Sequence, residues 1–161
     1  MVIYIEMEGY LRQWLKHSLG DPVKFPNKSF ENELLIRHLT TPKSEPPHSK
    51  TPQSIGIIIP DSSFKPSEHY NYLGRRGRTA LIAAIENLFR ITLWYDCLPL
   101  FCQPKGNINK GIEDWCNNHG IDMDYHEAVR QKLYRMRKSF KTHGIILAKF
   151  YKKDYHDTGK K

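Results

Sequence analysis

At 161 residues, 39% hydrophobic and 26% charged, the chain is sized for one ordinary domain or two very small modules sharing a core. It is globular and not disordered by composition. Its 25 Lys and Arg against 17 Asp and Glu give a formal charge of +8, which predicts attraction to polyanions and says nothing about fold. Three cysteines follow no disulfide framework, MVIYIEMEGY is not a secretory signal, and no apolar run nears the ~20 residues of a membrane helix, so a reduced, cytoplasmic protein with no membrane partner is expected.

The β-branched and aromatic run VIYIEM predicts a short strand at Val2–Ile5. In EGYLRQWLKHSLG, Leu11, Trp14, Leu15 and Leu19 recur at helical spacing and Gly20 supplies the stop. DPVKF reads as a second short strand. Ser29 is placed to cap a helix carrying Phe30, Leu34, Leu35 and Leu39 on one side. TPKSEPPHSKTPQS, with four prolines and no aliphatic residue, is a loop or linker, and SIGIIIP reads as a buried strand over Ile55–Ile59. DSSFKPSEHYN has loop composition.

The clearest helix runs from about Gly77 to Tyr95, with Leu81, Ile85, Leu88, Phe89 and Thr92 on one stripe beside Ile82. Prolines and a glycine in CLPLFCQPKGN break it. A helix over Ile108–His119, a glycine turn and a long helix over Tyr125–Lys141 follow; GIILAKFYKKD is ambiguous and the tail YHDTGKK reads as frayed. Together these predict an α+β fold. Residues 1–102, including the Pro-rich loop 41–53, form a small strand and helix part packed on a central helix. Residues 103–161 form a basic, helical, helix-turn-helix-like part sharing the same core.

Charge is distributed unevenly along that plan. From Ala128 to Lys153 there are nine Lys or Arg and no Asp or Glu, whereas Ile108–Glu127 holds five acids and one lysine. An ordinary solvated helix interleaves both signs. In the last helix Val129, Leu133, Met136 and Phe140 make a narrow inward stripe, and Arg130, Lys132, Arg135, Arg137, Lys138 and Lys141 cover the rest, with Tyr134 beside them. Long cationic side chains on a rigid rod suit the phosphates flanking a groove, and a helix, glycine turn and basic helix follow the plan of a helix-turn-helix. Two features depart from that pattern: His119 stands where an apolar residue is usual, and the GIDMDYHEA connection is long. The bland alternative is a solvated helix face that happens to be basic.

A second basic cluster, Arg75, Arg76 and Arg78, opens the central helix, where the free N–H groups already favour anions. Guanidinium groups at a helix start make phosphate clamps, against the alternative of an inert loop. RGRT lacks the proline of an AT-hook. Cys97, Cys102, Cys116 and His119 have a spacing open to zinc, C-x4-C-x13-C-x2-H, but LPLF is not the polar, glycine-containing turn of a zinc knuckle, and small cysteines also serve as core residues. Asp122, Asp124, His126 and Glu127 cluster near a helix start. Asp124 as N-cap with Glu127 three residues on reads as capping before it reads as the metal-binding acids of a nuclease.

Several stretches, YLRQWLKHSLGDPVKFP, YNYLGRRGRTALIAAIENLF with LW at Leu93 and Trp94, and WCNNHGI followed by YRMRK, resemble an uncharacterised family of small basic bacterial proteins found on chromosomes and mobile elements. The resemblance implies a bacterial, mobile-element setting and no mechanism. The expected function is non-enzymatic DNA binding, with no cofactor and no metal. The phosphate contacts would come from Arg130, Lys132, Arg135, Arg137, Lys138 and Lys141, Tyr134 beside them, supported by Arg75, Arg76 and Arg78. RNA is open, since Tyr70, Tyr72 and Tyr134 offer stacking surfaces. The alternative is an adaptor whose basic face meets an acidic protein.

Overall fold

A computed structural model describes residues 1–42, 49–102 and 107–143. The ambiguous GIILAKFYKKD segment and the tail lie outside the described residues, as does the middle of the Pro-rich loop. The described elements are α+β, and their contacts group into two compact units, residues 1–89 and from Arg90 onward.

In the first unit, β1 (Val2–Glu6) pairs antiparallel with β3 (Ser54–Ile58), Val2 opposite Ile58 and Glu6 opposite Ser54. Ile5, Ile55 and Ile57 are buried, as the strand period requires. DPVKF yields one parallel bridge and no strand. Val23 bonds to Gly56 and Ile58 at 2.8 Å each, and Pro22 and Pro26, which have no N–H to donate, allow no longer ladder.

Helix α1 (Gly9–Leu19) buries Tyr10, Leu11, Trp14 and Leu15 and ends at Gly20, whose φ of +87° favours glycine. Helix α2 (Phe30–His38) is capped as the sequence implies, Ser29 Oγ accepting the Asn32 N–H at 3.2 Å. Its inward face differs from the expected one. Leu35 and Leu39 are buried, but Phe30 is 64% exposed, because Glu31, four residues before Leu35, holds the place on that stripe. At the other end Lys65 Nζ donates to the carbonyls of Arg37 at 2.9 Å and Leu39 at 2.8 Å, closing acceptors that a helix C-terminus leaves open. The chain then forms β2 (Leu39–Thr40), paired antiparallel with β4 (Tyr72–Leu73). This miniature sheet buries Tyr72, which removes it from the expected stacking surfaces.

Helix α3 (Arg75–Cys97) starts two residues earlier than its periodicity suggests. Its residues 75–89 belong to the first unit, where the rings of Tyr10 and Trp14 pack on Phe89 at centroid distances of 5.1 and 5.3 Å. The strand and helix part is therefore packed on the central helix, as expected.

The second unit takes α3 from Arg90 and passes through a 3-10 turn at Leu98–Cys102, where Pro99 cannot continue the helical ladder. Helix α4 (Ile108–Asn118) ends in a Schellman motif. Gly120 has φ +68°, the Ile121 N–H reaches the Cys116 carbonyl at 2.9 Å, and Ile121 is buried. A 3-10 turn, Met123–Tyr125, leads into α5 (His126–Thr142). Asp124 lies inside that turn and makes no cap bond, and Glu127 turns forward to Arg130 and Gln131 instead of back to close a capping box. Residues 119–125 thus separate α4 from α5, more than the three or four residues of a tight helix-turn-helix. Val129 and Leu133 are fully buried, whereas Met136 and Phe140 are half-buried. The Phe140 ring lies on Trp94 at 4.5 Å.

Candidate nucleic-acid interface

The basic side chains of α5 fall into two groups once their partners are known. Three are held by the protein itself, as is the neighbouring Tyr134. Arg130 pairs with Glu127, Arg137 lies over the Phe101 ring at 4.4 Å, Lys132 is engaged, and the Tyr134 hydroxyl donates to Asn109 at 3.2 Å. The other three, Arg135, Lys138 and Lys141, are exposed, and among the described residues their side chains form no hydrogen bond, ion pair or ring contact. Positions 135, 138 and 141 advance by three residues, so these cations form a gently winding ridge. Tyr134, half-buried and anchored to Asn109, offers less ring surface for stacking than the sequence suggests.

The α3 arginines are likewise sorted by helical geometry. Arg75, Arg78, Thr79 and Ile82 share one face at i, i+3, i+4 and i+7, and all four line a cleft of about 360 Å³ together with Tyr4 and Glu6 of β1 and Thr51 and Ser54 beside β3. Arg76 lies off that face and does not line it. Gly77, on the opposite side, is buried where a Cβ would come within 2.6 Å of Leu73 Cδ1 and 2.8 Å of His38 Cβ. The RRGR run is therefore one tight packing contact with arginines around it. The sequence signalled the arginines, and Thr79 and Ile82 join their face once the helix starts at Arg75; it gave no signal for Tyr4, Glu6, Thr51 and Ser54, which the β1–β3 pairing brings in.

Cys97 and Cys116 are fully buried. Burial, with the Asp96 carboxylate and then Cys116 adding to it, pushes the Cys97 thiol up to about 12. Burial and then Glu113 do the same for Cys116, also to about 12. Both thiols therefore stay protonated at neutral pH in the metal-free protein. His119 stacks on Trp115 at 4.1 Å, its Nδ1 sits 2.7 Å from the Trp115 carbonyl, and its Nε2 faces Asp96 Oδ2 at 3.8 Å. The same Asp96 oxygen accepts the Trp115 indole N–H at 2.9 Å. Among the described residues no group of three or more His, Cys, Asp or Glu is placed to hold a metal ion.

These thiols make a chemical prediction. In native protein at about pH 8 a thiol reagent is expected to label Cys102 and spare Cys97 and Cys116, with all three reacting in denaturant. Native Cys97 and Cys116 hold their protons more tightly than the unfolded chain. Their contribution to stability is therefore complete below the ordinary thiol value of 9.0 and is lost as pH rises from there toward 12. Urea midpoints measured at pH 8 and pH 10 check this.

Among the described residues no helix is long and apolar enough to cross a membrane. Compared with known protein families, curated proteins and solved structures, the chain matches none.

Proposed function

We propose that the protein binds DNA without catalysing a reaction on it, through phosphate contacts made from α5. The observation that carries this reading is the cationic ridge of Arg135, Lys138 and Lys141, which has no partner among the described residues, within a stretch that holds no acid from Ala128 to Lys153. Cations that no described residue neutralises are available to a phosphate backbone and release its counterions on binding. Arg130, Lys132 and Arg137 reinforce the field of the helix, although each is also held by the protein. Arg75, Arg76 and Arg78 add anion-binding capacity at the start of α3. The α4–α5 pair would act as a loose helix-turn-helix with α5 as the DNA-facing helix. Its longer connection fits backbone contact better than tight groove readout. A regulatory or maintenance role on a bacterial mobile element is the setting that the sequence resemblance implies.

The test is fluorescence anisotropy of labelled DNA of about 30 base pairs, titrated with protein at several salt concentrations. The expected result is a linear fall of log K with log salt, with a slope of about −3 if the three free cations each meet one phosphate. Flat anisotropy at low salt overturns the reading and points instead to an acidic protein partner for the same ridge.

A further inference from the structure

The cleft beneath the first turn of α3 has a chemistry that phosphate contacts from α5 do not use. Two guanidinium groups, Arg75 and Arg78, line a concavity of about 360 Å³ one helical turn apart. Among the described residues neither forms an ion pair or a side-chain hydrogen bond. Among the described lining residues the one carboxylate, Glu6, accepts from the Thr51 hydroxyl at 2.9 Å and forms no ion pair with either arginine. Like charges at i, i+3 repel. Two forks that no described residue neutralises therefore stand one turn apart, in a recess that concentrates their field. A dianion seated between them removes that repulsion and accepts from both forks at once.

The rest of the lining says what the anion is attached to. The Thr79 hydroxyl stands on the arginine face, where it can donate to a phosphate oxygen, and Tyr4 and Ser54 form the side contributed by the sheet. The second oxygen of Glu6 can accept from a hydroxyl or amino group, as a carboxylate does when it binds a sugar diol. A cleft of this volume falls within the range of small-molecule sites.

We propose that this cleft binds a phosphate monoester carrying hydroxyl groups, the class that includes nucleoside 5′-phosphates, 5′-phosphorylated nucleic-acid ends and sugar phosphates. Arg75, Arg78 and Thr79 hold the phosphate, and Glu6 holds the polyol. Arg76, outside the cleft, takes no part. This site is separate in chemistry from the α5 ridge, and its occupancy does not depend on DNA binding by that helix.

The experiment is isothermal calorimetry of the full chain with inorganic phosphate, ribose 5-phosphate and adenosine 5′-monophosphate, each taken to about 10 mM, the scale of weak small-molecule affinity. Saturable binding of both esters, tighter than inorganic phosphate, is expected, and equal affinity for the two esters identifies the sugar phosphate as the recognised part. Arg75→Gln and Arg78→Gln are each expected to weaken the esters about tenfold, the usual cost of one charge-assisted contact, and Arg76→Gln to change them less than about twofold. Glu6→Gln is expected to weaken the esters while leaving inorganic phosphate unchanged or tighter. All four positions are exposed or half-exposed, and an unchanged circular dichroism spectrum shows that the variants fold. Absence of saturable binding overturns the proposal, as does an Arg76→Gln effect equal to those at Arg75 and Arg78, which would mean diffuse charge attraction only. Reversing charge at Arg135 and Lys138 is expected to leave these titrations unaltered, so failure here and failure of the DNA reading are told apart.

Discussion

The Arg135→Glu, Lys138→Glu double variant is expected to bind DNA about a hundredfold more weakly than the parent chain near 0.1 M salt. Each phosphate contact contributes close to one unit to the slope of log K against log salt, so a single contact is worth about tenfold at that concentration relative to 1 M. Removing two contacts gives the hundredfold loss and lowers the slope by about 2 units; the introduced carboxylates add repulsion on top. Both side chains are exposed and neither has a carboxylate partner among the described residues, so fold stability is expected to move by less than about 0.5 kcal/mol. The informative contrast is Arg130→Gln. Arg130 is paired with Glu127, so its loss should cost binding much less than the loss of Arg135, even though the two are equivalent by charge count. Unchanged anisotropy in the double variant would sink the DNA reading. Equal effects at Arg130 and Arg135 would mean that only net charge matters.

That contrast marks where sequence reading stops. The α+β class, the Ser29 cap, the β1 and β3 strands and the five long helices were legible because each depends on local periodicity, a capping residue or a glycine stop. The basic face of α5 was legible for the same reason, but the division of its cations was legible only in part: Glu127 holds Arg130 from the same helix, whereas Phe101, which holds Arg137, comes from elsewhere in the unit. The β2–β4 pairing joins Leu39 to Leu73 with β3 between them in the chain, and two-residue strands carry no period to detect. The capping box expected at Asp124 and Glu127 failed because Ile121, buried behind the glycine turn, fixes where the chain can start α5. Tertiary burial there overrides a favourable local motif. Of the cleft below α3 only the arginines were legible: the shared face of Arg75, Arg78, Thr79 and Ile82 depends on the helix starting at Arg75, two residues earlier than its periodicity suggests, and strand pairing supplied the opposing wall.

Gly77→Ala is expected to destabilise the protein by about 1–2 kcal/mol, lowering the midpoint of thermal unfolding by several degrees. Helix propensity alone predicts the opposite sign, since alanine is favoured over glycine by about 1 kcal/mol inside a helix. The deciding term is space. A Cβ at this position would lie 2.8 Å from His38 Cβ and 2.6 Å from Leu73 Cδ1. Leu73 can rotate its tip away, but a Cβ moves only with its backbone, and His38 is the last residue of α2, which Lys65 ties down at the neighbouring carbonyls. Either α2 or the first turn of α3 must shift, at the usual overpacking cost of about 1–3 kcal/mol. Gly111 in α4 supplies the control. Its added Cβ would meet Leu100 at 2.5 and 2.8 Å, equally short, but both atoms are terminal methyls of a half-buried side chain. Leu100 can swing clear, so Gly111→Ala should be neutral or stabilising by up to about 1 kcal/mol. Chemical denaturation of the two variants beside the parent chain separates the explanations. If both gain stability, helix propensity governs and Gly77 is not a packing residue. If Gly77→Ala alone loses it, the glycine within RRGR is set by the approach of α2 and β4, and any displacement of Arg75 and Arg78 that follows should weaken phosphate-ester binding in the same variant.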